Sequence, residues 1–187
     1  VHGNTIARLN DKAGCQVMIA GHIDEIGYMV NYIDKEGFIY ILPIGGIDAH
    51  LVPGQRVWIK AKNGDIYGVV SRKPIHLQSE DERKRIVKFE EVWIDIGAKS
   101  DKEASNLVSI GDPAVSVLGF EKLLGTRVAG RGFDDRAGAF VVSEVIRVLK
   151  TKKLKVGVAG VATVQEEVGL RGAKTSAYGI NPNIGIA

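Results

Sequence analysis

The sequence predicts an α/β layer interrupted by a β-rich insertion, and three observations carry that expectation. A short apolar run at 16–20, Gln-Val-Met-Ile-Ala, stops at Gly21 as a strand does. A middle stretch holds short β-type segments and an Asn63-Gly64 hairpin signal. A helix-spaced segment at 135–150 is followed by a continuous run of Val, Gly, Ala and Thr at 155–164, the composition of a strand covered on both faces.

In order, 28–33 and 38–42 supply two further strands of the first layer, and Gly45-Gly46 breaks the pattern. From Val52 to about Pro113 the chain reads as β segments at 56–61, 66–71 and 92–96, with a highly charged stretch at 78–85 and a capping box, Ser100-Asp-Lys-Glu103, opening a short helix. After Pro113 the pattern changes again. Ala137, Phe140, Val141, Val145, Val148 and Leu149 fall near helical spacing, and a parallel strand after a helix is the βαβ order. The expected division is therefore 1–45 and 115–187 for the main layer and 46–114 for the insertion.

Composition narrows the function classes. With 45% hydrophobic and 25% charged residues the chain has a soluble globular composition, and no apolar run approaches the ~20 residues of a membrane span. The 25 basic and 22 acidic residues are interspersed, which disfavours a nucleic-acid partner. Cys15 is the single cysteine, so no intrachain disulfide is possible. With no leader-like N-terminal pattern, the expected location is cytoplasmic. The opening Val1-His2-Gly3-Asn4 and the stop at 183–187, inside an apparent strand, suggest an internal piece of a longer protein.

Three clusters carry chemistry. His22 and Asp24 come just after the first strand at the carboxyl edge of the sheet, where open α/β proteins bind ligands, and an Asp beside a ligating imidazole can fix its tautomer. Asp134 and Asp135 open the best helix; a charged N-cap accounts for one of them, and a bridging metal carboxylate with a supporting neighbour accounts for both. Glu166 and Glu167 come just after the buried strand, where carboxylates require a cation or a shifted pKa. Being adjacent, they leave the strand in opposite directions and can divide two roles. His50 and His76 read as polar residues of the insertion, Trp58 and Trp93 as core anchors. Gly45-Gly46 lacks the phosphate-loop fingerprint.

Ala20-Gly-His-Ile-Asp-Glu-Ile-Gly27, Gly132-Phe-Asp-Asp-Arg-Ala-Gly138 and Thr163-Val-Gln-Glu-Glu-Val-Gly-Leu-Arg-Gly-Ala173 resemble successive motifs of the tetrahedral, deblocking and glutamyl aminopeptidases, some of which have been labelled endoglucanases. Lys73-Pro-Ile-His-Leu77 and Pro113-Ala-Val-Ser-Val-Leu-Gly119 extend the resemblance through the insertion. It implies a partial three-layer catalytic domain of zinc-peptidase type with an inserted β-barrel-like lid or dimerisation domain, two divalent ions (zinc or cobalt), peptide substrates and a dimer-based homo-oligomer up to a dodecamer. It assigns His22 and Glu167 one metal each, Asp134 to both, Asp24 to orientation and Glu166 to proton transfer. A cis Asp134–Asp135 peptide is implied as well. The family's further Asp and last His ligands fall outside these residues.

Two other classes compete. Retaining glycosidases hold two carboxyls ~5 Å apart across a sugar; neighbouring glutamates pointing apart fit metal and base better, and His22 and Asp134 would have no task. A non-catalytic assembly module is the second rival.

Overall fold

A strand ending at His22 and a second ending at Thr163 lie side by side in parallel, in a computed structural model that describes residues 3–187. Val1 and His2, which open the sequence, lie outside the described residues.

In chain order, β1 (Thr5–Leu9) and β2 (Gln16–His22) precede six strands of a closed barrel: β3 (Gly27–Ile33), β4 (Ile39–Ile44), β5 (Arg56–Ala61), β6 (Gly64–Arg72), β7 (Val92–Asp95) and β8 (Pro113–Ser116). Two short helices, α1 (Glu80–Lys84) and α2 (Asp101–Ser105), lie between barrel strands. Then come the hairpin β9 (Glu121–Lys122) and β10 (Val128–Ala129), helix α3 (Phe133–Leu149), β11 (Gly157–Thr163), α4 (Arg171–Ile180) and β12 (Ile184–Ile186). The chain divides into two compact units: Ile26–Gly119, and the segments on either side of it.

The outer unit is built on a sheet of order β1-β11-β2-β12, in which β1 runs antiparallel to β11 and the rest are parallel. The run expected to be a two-sided strand is β11, buried at six of its seven positions. The pair β2 and β11 is the expected βαβ order, with barrel and α3 both inside the crossover. Met18, Ala159, Val161 and Ile180 form its core, with Ala20 packed on them. Helix α3 turns a different face inward from the one its large apolar residues suggest. Ala139 and Val142 are buried, whereas Ala137, Phe140, Val141 and Val148 are exposed. A Cβ on Gly21 would lie 2.5 Å from the Ala139 amide nitrogen, so the helix backbone rests on β2 itself and small residues face the sheet.

The barrel unit closes in the order β3-β4-β7-β6-β5-β8, and β8 returns to β3 with Tyr28 opposite Ala114 and Met29 opposite Pro113. The first two of these strands were expected in the main layer up to residue 45; they belong to the barrel, and the change of unit falls at Glu25/Ile26. Both kinds of sheet use the same strand alphabet, so only the pairing distinguishes them. Alternation supplies the barrel core: Val57 and Ile59 of β5, Val70 of β6, Val92 and Ile94 of β7 point inward. The same alternation turns Trp58 and Trp93 outward and corrects their reading as core anchors. Both are half-buried, Trp58 edge-on to Tyr67 at 4.9 Å and Trp93 against Phe38 and Tyr40.

The β5–β6 hairpin turns on Lys62 and Asn63, one residue earlier than the Asn-Gly signal, and Gly64 supplies the positive φ (126°). The Ser100 cap forms, accepting from the Glu103 amide at 3.3 Å, but the Glu103 carboxylate turns to the Lys99 amide instead of closing the box. A full box occurs where none was read, in the charged stretch, where Ser79 and Glu82 cap α1 reciprocally.

Ile94 is fully buried, and its Cγ2 would stand 2.4 Å from a Cβ on Gly68. Ile94→Ala is therefore expected to cost roughly 2–5 kcal/mol through the cavity it leaves, read as a fall in urea midpoint at unchanged slope.

Candidate metal centre

The carboxyl ends of β2 and β11 are in register, His22 opposite Thr163, so the segments leaving the two strands emerge at one place. The Thr163 hydroxyl donates to the Gly21 carbonyl at 3.3 Å and the Ile23 amide to the Thr163 carbonyl at 2.9 Å. Beyond β11, Gln165 and Leu170 take left-handed backbone (φ 57° and 59°) on either side of a turn in which the Gly169 and Leu170 amides both donate to the Glu166 carbonyl at 2.9 Å. Asn4 anchors the root of that turn. Its side chain accepts from the Val164 amide at 3.1 Å and donates to the Gly172 carbonyl and the Ser176 hydroxyl at 2.8 and 2.7 Å.

Across from this turn α3 begins late. Gly132 caps it with φ 73°, Asp134 and Asp135 keep non-helical dihedrals, and the peptide between them is cis. The Asp135 carboxylate accepts from the Gly138 amide at 2.9 Å, which caps the helix, and from the His22 amide at 3.3 Å, which pins β2 to it. Asp134 is left free to face outward, its side chain 91% exposed.

The candidate residues converge. His22, 9% exposed, brings Nε2 to 3.0 Å from Asp134 Oδ1 and 3.7 Å from Glu166 Oε2. Ligand atoms of His22, Glu166 and Glu167 all lie within 4.8 Å of one another. The expected clamp on the imidazole forms through a different atom of Asp24. Nδ1 donates to the Asp24 main-chain carbonyl at 3.0 Å, while its carboxylate stands 3.6 Å away and accepts instead from the Glu167 amide at 3.2 Å. Asp24 thus holds both the histidine and one glutamate. His50 and His76, both exposed, lie in the barrel unit.

The clustered acids shift two of these groups. Burial lowers the His22 pKa, but the Asp24 carbonyl, the Asp134 carboxylate and the charges of Glu166 and Asp24 outweigh it, so the net direction is upward. Glu167 is also pushed up, first by burial and then by Glu166, against the opposing pull of His22. One imidazole nitrogen and the carboxylates of Glu166 and Glu167 around a common point, with Asp134 beside the imidazole, is a donor set that suits divalent first-row cations.

A second ring of residues was not read from the sequence. Glu25, its side chain 11% exposed, pairs with Arg131 Nε and Arg136 Nη2, each at 2.9 Å, and Arg136 Nε also donates to the Ile23 carbonyl at 3.4 Å. The acid next to Asp24 and the two arginines flanking the Asp134 motif were visible, but nothing in their spacing announced the pairing.

His22, Glu166 and Glu167 thus gather at the carboxyl ends of β2 and β11, beside Asp134 at the start of α3. The chain belongs to the M42 glutamyl aminopeptidase family, whose profile matches residues 3–187. A relative from Acetivibrio thermocellus is 43% identical over 185 residues, covering 99% of this chain and 52% of the relative. A TET aminopeptidase of a marine sediment Thaumarchaeota archaeon superposes with TM-score 0.91 at 40% identity, over 98% of this chain and 52% of that one. The TET1 peptidase of Pyrococcus horikoshii, described as assembling into a tetrahedron or a large octahedral shell, gives 0.87 at 37%, over 98% of this chain and 55% of that one. The chain therefore spans about half the length of these relatives.

Proposed function

We propose that these residues form the greater part of a dinuclear metal centre that releases N-terminal residues from peptides. The observation that carries the reading is the convergence of His22, Asp134, Glu166 and Glu167 from three separated segments onto one edge. In this reading His22 and Glu167 would each help to hold one divalent cation, zinc or cobalt, and Asp134 would serve both. The cations held there would supply Lewis-acid activation of the scissile carbonyl and of the attacking water. Glu166 accepts the proton from that water and returns it to the departing amine. Asp24 keeps the imidazole and Glu167 aimed by its carbonyl and carboxylate respectively.

Among the described residues no helix is long and apolar enough to cross a membrane, and a cytoplasmic location is part of the proposal. So is assembly into a dimer-based homo-oligomer, up to a dodecamer, through the barrel unit. Support comes from the shells that the Pyrococcus horikoshii relative forms.

Chelation supplies the test. Dialysis of the intact gene product against a strong chelator is expected to abolish hydrolysis of aminoacyl anilides, and added zinc or cobalt to restore it. Activity that survives metal removal, or cleavage of a β-glucan in place of the anilide, would reject the reading.

A further inference from the structure

We infer that Glu25 is a positioning residue that sets the spacing between His22 and Asp134, acting through a two-arginine clamp. The inference rests on the proposed metal centre and deepens it.

The segment Ile23-Asp24-Glu25 holds the imidazole from behind through the Asp24 carbonyl. The segment from Arg131 to Arg136 carries Asp134 and Asp135. These two segments, 111 residues apart at Glu25 and Arg136, are tied by ion pairs in which each Glu25 oxygen takes one guanidinium at 2.9 Å: Oε2 from Arg131, Oε1 from Arg136. Arg136 is bonded to both ends of the first segment, since its Nε also donates to the Ile23 carbonyl. The carboxylate is largely shielded from solvent, so its charge requires these partners.

The approach is close at Gly132. A Cβ on Gly132 would lie 2.9 Å from Arg136 Nη1 and 3.3 Å from Glu25 Oε2, and its φ of 73° favours glycine independently. Glycine before the Phe-Asp-Asp motif therefore lets the clamp shut. None of the three clamp side chains is among the imidazole and carboxylate groups that converge on the site; they hold the two strips of backbone on which His22 and Asp134 stand. Supporting residues of this kind typically change metal affinity 10–100-fold when removed.

The test is made on the intact gene product with Co(II) as probe. Glu25→Ala, and the isosteric Glu25→Gln should the first fail to fold, are expected to weaken Co(II) binding about 10–100-fold in competition with a chromophoric chelator. They are also expected to shift the visible absorption of the bound ion, which reports ligand geometry. A merely stabilising ion pair would lower the melting temperature while leaving affinity and spectrum of the folded protein unchanged, and that outcome would overturn the inference. Failure of the wild-type protein to bind Co(II) would instead reject the metal centre on which it stands.

Discussion

Glu166→Gln in the intact gene product is expected to leave metal content nearly unchanged and to lower peptidase turnover by about 10²–10⁴, the usual cost of losing a general base. The amide keeps the shape of the carboxyl group but cannot accept the proton. Glu167→Gln should act differently, because in the proposed reading Glu167 holds a cation, its amide fixed by Asp24 at 3.2 Å. Its loss is expected to appear first as a lower metal-to-protein ratio. Elemental analysis and anilide hydrolysis on both variants decide the assignment. Loss of metal in Glu166→Gln, with metal and activity retained in Glu167→Gln, would exchange the two roles.

The site was more legible in the sequence than the scaffold that aims it. His22, Glu166 and Glu167 announce themselves because histidine and acids directly after apolar strands are chemically costly, and Asp134 because capping a helix start needs only one of two adjacent acids. The structure brings them to one edge. What stayed hidden depends on pairing between distant segments. The Asp24 carbonyl, rather than its carboxylate, meets His22 because a β-strand exit can turn either group toward the ring. The Glu25 clamp joins residues whose spacing along the chain carries no periodic signal. Strands 27–33 and 39–44 look alike whether they extend a sheet or open a barrel, and helix α3 hides its contact face because that face is made of small residues.

Gly21→Ala should be a damaging single methyl addition in the outer unit. Its Cβ would stand 2.5 Å from the Ala139 nitrogen and 2.7 Å from the Gly138 carbonyl carbon. These are backbone atoms and cannot rotate aside, so α3 must lift from β2. Overpacking of this kind costs about 1–3 kcal/mol, and the upper end is expected here. For a chain of this size the melting temperature should then fall by roughly 6–12 °C. The lift also separates the His22 amide from Asp135, now 3.3 Å apart, so metal affinity is expected to fall with stability. A melting temperature within about 1–2 °C of wild type would show that the helix is not seated on the strand.

The return of β8 onto β3 bears on how the chain reaches this state. The barrel's own entry and exit are neighbours, Met29 against Pro113, while Gly21 and Thr163, 142 positions apart, must meet for the parallel sheet to form. A barrel that closes early removes more than half of that intervening loop, a saving of about 0.8 kcal/mol in closure entropy. The insertion would then act as a kinetic staple for the sheet, and a barrel lesion such as Ile94→Ala should slow formation of the parallel sheet.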